Sequence, residues 1–373
     1  MTIAVNISFT GRNINHDLIP EYFSQLAVTH PQHQFIFIVD KDLDRQNIGV
    51  KNCISVVAGA AATNPLLLQY RLNYTIPAIL RKHKADVLIS SNCCSLRTKV
   101  PQCLLLTDLS FISHPGIFPG KWLSFFKKHT AKALAKAKSI VAASPFLKQQ
   151  AKEKYKITDE AIQLMHYGAG ESFFPATWQE KDAVKDKYTE GLEYFLYSGP
   201  IDAKQNLTNL LKAFSFFKKR QKSNMQLIIA SATAATDRAF IKSLGSYKYR
   251  NEVKLLDKLD TATLAQITGS AYALVYPSVY ENYAAAIPAA LQCNIPVIAG
   301  NSNEMKAIYG DALIYCNTAN LDDIADKMML LFKNEDKRNE AIEKGSQFAA
   351  QYNRKEALAS LWQAVEKAAA ARS

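Results

Sequence analysis

The chain has 373 residues, 48% hydrophobic and 21% charged, too long for one hydrophobic core and too apolar for a disordered polymer, so two globular domains are expected. No run approaches the roughly 18–20 apolar residues of a membrane-spanning helix, and the opening MTIAVNISFTGRN lacks the features of a secretory leader, which predicts a cytoplasmic protein. The formal charge of +12 is a property of one segment rather than of the whole surface.

In chain order, apolar runs at residues 3–8, 35–39, 54–57, 87–90, 103–106, 139–142 and 162–166 alternate with helix-length stretches. Runs apolar on both faces suit the strands of a parallel sheet covered by helices. The first run leads into a loop with Gly11, Arg12, Asn13 and His16 before a helix through residues 21–26. One glycine is too few to cradle a phosphate closely, so a plain connection is expected there. Residues 40–44 read Asp-Lys-Asp-Leu-Asp, and their place after the second run predicts an acidic turn rather than a metal site. The strand at 103–106 leads into Thr107, Asp108, Leu109 and Ser110, where Asp108 suits a cap or a loop-orienting residue.

Between residues 118 and 156 stand ten lysines (Lys121, Lys127, Lys128, Lys132, Lys136, Lys138, Lys148, Lys152, Lys154 and Lys156) against one acid, Glu153. Lys128, Lys132 and Lys136 recur at i, i+4 on one helix face, with Trp122, Phe125 and Phe126 just upstream. This segment is either a solvated helix face over buried aromatics or a peripheral contact for an anionic membrane. No nucleic-acid motif accompanies it, so no nucleic-acid partner is expected. The six cysteines lie mostly in apolar segments without metal-ligand spacing, and are expected to be reduced.

Residues 168–187 combine Gly168, Gly170 and Pro175 with a charged stretch after Trp178, and read as an interdomain linker. The rhythm then restarts with runs at 194–198, 225–230, 253–255, 273–276, 297–299 and 313–315, followed by three helices at 321–332, 336–351 and 355–370. The expected architecture is α/β, with two doubly wound Rossmann-like domains at 1–175 and 176–353 and a final helix at 354–373 packing back on the first. Ligands of such sheets bind beyond the carboxyl ends of the strands, so the site is expected in the crevice between two facing sheets. Two loops of the second domain stand out. One carries Gly199, Lys204 and Asn206 before a helix, whose N-terminus favours an anion; the other carries Ser278, Glu281, Asn282 and Tyr283.

Residues 199–206, 276–298 and 310–315 follow in order the segments of the retaining glycosyltransferase family 4, and the chain resembles that family over nearly its whole length, including 108–115 and 168–175. The resemblance implies a GT-B fold, with two such domains facing across a cleft. It implies a nucleotide-sugar donor as substrate, no metal or other cofactor, and a glycan or lipid-linked acceptor. It assigns donor binding to Gly199, Lys204, Asn206, Ser278, Glu281, Asn282 and Tyr283, catalytic positions to Glu281, Asp108 and Thr107, and the acceptor side to Gly11, Arg12 and His16. The chain departs from the family pattern where Thr107 replaces a histidine, Pro200 an arginine, Gln205 a lysine and Ala289 a second glutamate, and where Asn282 and Ala284 replace glycines. A departing nucleoside diphosphate needs cationic and amide partners, so the losses at 200 and 205 remove charge-assisted contacts worth about 1.5–3 kcal/mol each. Two readings follow: a transferase with a weakened donor site, or a degenerate member that binds a sugar or a partner enzyme. A nucleotide-sugar epimerase on a similar two-domain fold is a weaker alternative, for which the sequence carries no positive signature.

Overall fold

The computed structural model describes residues 1–7, 18–40, 50–60, 62–91, 97–165, 168–202, 205–235, 237–281, 284–352 and 354–371. The chain divides into two compact units, Met1–His166 with Lys355–Ser373, and Tyr167–Arg354.

The first unit holds strands β1 (Thr2–Asn6), β2 (Gln34–Val39), β3 (Cys53–Val57), β4 (Val87–Ser91), β5 (Gln102–Leu106), β6 (Ser139–Ala142) and β7 (Ile162–Leu164). They form a seven-stranded sheet ordered β3-β2-β1-β4-β5-β6-β7. The second holds β8 (Tyr194–Ser198), β9 (Gln226–Ala230), β10 (Val253–Leu256), β11 (Ala273–Tyr276), β12 (Val297–Gly300) and β13 (Ile314–Cys316), ordered β10-β9-β8-β11-β12-β13. Every neighbouring pair is parallel. The expected α/β class with two Rossmann-like domains is therefore what the chain adopts. Central strands such as β5 and β8 are buried along their whole length, because helices cover both sheet faces and leave no polar side for alternation to mark.

The helix Arg354–Ala370 belongs to the first unit, where Leu361, Ala364, Val365 and Ala368 are buried. It is pinned to the sheet edge by Ser139, whose hydroxyl donates to the Ala364 carbonyl at 2.7 Å, and by Ser360, which donates to the Leu164 carbonyl at 3.1 Å. In the second unit the stretch expected as a charged linker is partly a helix, Trp178–Thr189. A capping box starts it: Thr177 Oγ1 accepts the Glu180 amide at 3.3 Å, and Glu180 accepts the Thr177 amide at 2.8 Å. Gly269 lets this segment lie close, since a side-chain carbon there would stand 3.3 Å from the Ala176 methyl.

Of the expected acidic turn at residues 40–44 only Asp40 is described, since residues 41–49 lie outside the described residues. Asp40 is buried and accepts from Arg71 Nη1 at 2.6 Å. Arg71 opens a π-helical turn, Arg71–Thr75, between the helices Pro65–Tyr70 and Ile76–Lys82. Gly59 (φ +120°) makes room for the guanidinium, which lies 3.3 Å from where its side chain would begin. Cys103, Cys293 and Cys316 are free and buried and Cys53 is free and half-buried, with burial pushing the Cys103 thiol up to about 11 and Cys293 to about 12; Cys93 and Cys94 lie outside the described residues.

The lysine-rich segment spans the helix Gly120–Lys136 and beyond. Trp122, Phe125 and Phe126 pack towards the core formed by Leu68, Leu72, Ile76 and Leu80. Lys121, Lys127, Lys128, Lys132 and Lys138 are exposed, whereas Lys136 donates to the Thr98 carbonyl at 3.1 Å and Lys148 and Lys152 both bind Asp159. No helix among the described residues is long and apolar enough to cross a membrane.

Candidate functional site

The strand order of the second unit reverses between β8 and β11, so the loops leaving the carboxyl ends of these two strands diverge to opposite faces and leave a crevice at the sheet edge. From β8 the chain passes Gly199, whose φ of +152° and close Tyr197 hydroxyl, 2.9 Å from where a side chain would begin, admit no larger residue without a shift. Gln205 and Asn206 then lead into the helix Leu207–Gln221. Asn206 takes a left-handed conformation (φ +62°) and spends its amide on two neighbouring loops, donating to the Pro277 carbonyl at 3.1 Å and the Thr318 carbonyl at 2.9 Å. Those loops follow β11 and β13. Between them Gly300, at the end of β12, lies so close that a side chain there would meet the Ser278 carbonyl at 2.4 Å.

From β11, Ser278 donates to the Tyr280 carbonyl at 3.0 Å, turning the loop so that Glu281 stands against the β8 side. One carboxylate oxygen, Glu281 Oε2, accepts from the Tyr276 hydroxyl at 3.3 Å and has the Gln205 amide nitrogen at 3.5 Å. The Tyr276 ring stacks on Tyr197 with centroids 5.5 Å apart, and Tyr197 donates to the Pro200 carbonyl at 2.6 Å. Burial, reinforced by the negative charges of Glu281 and Asp202, pushes both tyrosines well above the usual phenol range. They are therefore neutral donors throughout the physiological range, Tyr276 to the Glu281 carboxylate and Tyr197 to the Pro200 carbonyl.

Of the donor-side candidates, Gly199, Asn206, Ser278 and Glu281 come together here, while Lys204, Asn282 and Tyr283 lie outside the described residues. Ala289 is buried in the helix Ala286–Gln292, so that position offers no carboxylate. Sequence reasoning passed over Tyr197, Tyr276 and Thr318. Tyr276 ends the run 273–276 and Tyr197 stands one residue before the end of the run 194–198, and that placement at the carboxyl ends of strands is the signal that could have found them. Gln205 was noted only for the charge it lacks; the fold makes it a buried neighbour of Glu281.

In the first unit the order reverses between β1 and β4. Gly11, Arg12 and His16, on the loop after β1, lie outside the described residues. Thr107 and Asp108 follow β5. The Thr107 hydroxyl is 3.0 Å from that of Ser91 at the end of β4, and Asp108 Oδ1 accepts the Ser110 amide at 2.7 Å, where the short helix Ser110–Ser113 begins.

Residues 179–348 match the family described as glycosyl transferases group 1. The second unit is a glycosyl transferases group 1 domain. The match runs from the helix Trp178–Thr189 into the helix Glu335–Ala350, so both loops that meet at Glu281 belong to the glycosyl transferase domain. O-antigen chain mannosyltransferase B of Escherichia coli is 22% identical over 247 residues, 66% of this chain and 65%, just under two thirds, of that relative. O-antigen chain mannosyltransferase RfbU of Salmonella typhimurium is 21% identical over 82% of this chain and 81% of its own. Among solved structures, HepE of Anabaena in complex with UDP and glucose superposes with a TM-score of 0.75 at 12% identity, covering 98% of this chain and 99% of its own. That likeness is one of fold: two parallel-sheet α/β domains of the GT-B class.

Proposed function

We propose that the protein transfers a sugar from a nucleotide-sugar donor to a glycan or lipid-linked acceptor, with retention of configuration, in the assembly of a surface polysaccharide. The observation that carries this reading is the Glu281 carboxylate, presented at the strand-order reversal of a glycosyl transferase domain and backed by Tyr276 and Gln205. The names of the relatives support it, since two are O-antigen mannosyltransferases and one structure holds UDP and glucose.

In this reading Glu281 accepts hydroxyls of the donor sugar, with Ser278, Asn282 and Tyr283 on the same loop. The backbone amides beyond Gly199, Lys204 and the amino end of the helix Leu207–Gln221 meet the diphosphate. Asn206 positions rather than binds, because its amide already ties the loops together. The bond from the anomeric carbon to the diphosphate breaks, a bond to the acceptor oxygen forms on the same face, and the acceptor's proton leaves with the diphosphate. Negative charge grows on the leaving oxygens, where fixed donors act without a metal or other cofactor. Thr107, Asp108, Gly11, Arg12 and His16 form the acceptor side. A second reading is favoured by Ala289, Pro200 and Gln205: a domain that keeps sugar binding and has lost turnover. Calorimetry against UDP, GDP and their hexose conjugates, followed by detection of released diphosphate, separates the two. Glu281→Ala is expected to weaken the nucleotide sugar more than the bare diphosphate; equal weakening would remove Glu281 from the sugar.

We also propose that the first unit rests on an anionic membrane at the cytoplasmic face through the exposed lysines of residues 121–156. The support is twofold. Lys121, Lys128 and Lys132 lie on one exposed face of the helix Gly120–Lys136. Leu66, Tyr70 and Tyr74, spaced at i, i+4, are exposed on the neighbouring helical segment, so apolar and cationic groups share one region. Liposome flotation is expected to show recovery on anionic vesicles that fades with salt and is absent on neutral ones. Equal recovery on both would overturn it.

A further inference from the structure

Gln205 is 1% exposed and has two polar atoms with different fates. Its amide nitrogen faces Glu281 Oε2, an arrangement fixed by chemistry, since a carboxylate accepts and the amide nitrogen is the only donor the side chain has. Its carbonyl oxygen, Oε1, is buried and has no hydrogen-bond partner among the described residues. A buried acceptor left unpaired is costly, and native folds retain few of them, mostly where a water, ion or ligand completes the bond.

We infer that Gln205 is a specificity-determining residue whose Oε1 accepts a hydrogen bond from a hydroxyl of the bound sugar, so that Gln205 and Glu281 together read a pair of sugar hydroxyls. The inference rests on the transferase reading and deepens it. What decides between sugar and phosphate is the sign of the groups. At neutral pH the oxygens of a nucleoside diphosphate are acceptors, and at this point they would face two further acceptors, the Glu281 carboxylate and Gln205 Oε1. A hydroxyl brings its own donor and meets both without conflict. Position 205 therefore belongs to the neutral, polyhydroxylated end of the donor. The diphosphate lies away from it, towards the amides after Gly199. Asn206 holds this arrangement still, since its bonds to the Pro277 and Thr318 carbonyls fix the backbone next to Gln205.

The test uses the full chain and titrates UDP, UDP-glucose, GDP and GDP-mannose into the wild type, Gln205→Met and Gln205→Lys, each first checked for an unchanged thermal transition. Methionine keeps the length and removes both polar atoms. It is expected to weaken the preferred nucleotide sugar by about tenfold or more and the matching bare diphosphate by less than about twofold. Single-deoxy versions of that sugar identify the hydroxyl: one of them should bind the wild type weakly and lose nothing further in Gln205→Met. Lysine is expected to lower nucleotide-sugar affinity by pairing with Glu281. If Gln205→Met weakens sugar and bare diphosphate equally, or Gln205→Lys tightens the bare diphosphate while sparing the sugar nucleotide, position 205 faces phosphate and the inference falls while the transferase reading stands. If the wild type binds none of the four, the transferase reading fails and takes this inference with it. A variant that melts early is replaced by Gln205→Asn, which draws Oε1 back by one methylene and is expected to give the same selective loss.

Discussion

The two units share one wiring diagram and differ in what they place on it. The orders β3-β2-β1-β4-β5-β6 and β10-β9-β8-β11-β12-β13 correspond strand for strand, with β7 an addition at one edge of the first. In the first unit the end of β2 carries Asp40, sealed against Arg71, and the outer helices carry exposed lysines. In the second unit the equivalent reversal of strand order gathers neutral donors around one carboxylate, Glu281. A doubly wound sheet thus decides where a ligand can be held. The side chains at the strand ends decide which charge it can have, and these vary without disturbing the sheet.

The largest effects should come from breaking what is private to each unit. Asp40→Ala leaves the Arg71 guanidinium buried and unpaired, at a cost of about 3–5 kcal/mol. Scanning calorimetry is expected to show a lowered transition for the first unit with that of the second in place; a shift in the second alone would mean that the pair does not hold the first unit together. Replacing both partners, with Asp40→Leu and Arg71→Met, should recover much of the loss, because no charge is then stranded. Next in size is Gly300→Ala. The added carbon would fall 2.4 Å from the Ser278 carbonyl and 2.8 Å from the Thr318 methyl, so the loops around Glu281 must move, at about 1–3 kcal/mol. The second unit's transition should fall and nucleotide-sugar binding weaken together. Unchanged binding would show that the site tolerates displacement of these loops.

These contrasts also mark what could be read in the sequence. Strands were legible throughout: each apolar run overlaps an observed strand, because a strand buried on both faces must be continuously apolar. Glu281 was legible as the lone carboxylate on a loop after such a run. Its partners were not. Tyr197 and Tyr276 lie 79 residues apart and meet only because β8 and β11 are adjacent in the sheet, which local periodicity does not encode. The burial of Asp40 was not legible for the same reason, since its partner Arg71 lies 31 residues on, in the helical crossover from β3 to β4. The exposed stripe of Leu66, Tyr70 and Tyr74 runs into the π-helical turn at Arg71–Thr75, which resets the helical register that a 3.6-residue period assumes. The helix Trp178–Thr189 was within reach, because Thr177 and Glu180 spell a capping box; its charged composition outweighed that signal.

The smallest effect concerns His129, which tests whether the lysine face of the first unit is an open cationic surface. Its ring stacks on Phe125 with centroids 4.2 Å apart. Burial, and then the ammonium groups of Lys128 and Lys132, hold its pKa below the ordinary 6.5. The sign follows from linkage. A histidine whose folded pKa is depressed takes up fewer protons in the native state, so its contribution to stability is complete above about pH 6.5 and is lost as pH falls through the folded value. The first unit's transition should therefore drop slightly on acidification through that window, by no more than about 2 °C for a surface-proximal group. Ring-proton NMR gives the sharper readout. The His129 midpoint should lie below that of a histidine in an unfolded peptide, and Lys128→Glu with Lys132→Glu should raise it by replacing two repulsive charges with attractive ones. Added salt should raise the wild-type midpoint in the same direction, because the lysines act on the ring through solvent. A midpoint that ignores both the charge reversal and the salt would mean that these ammonium groups are neutralised by neighbours, and would remove the cationic face on which membrane contact depends.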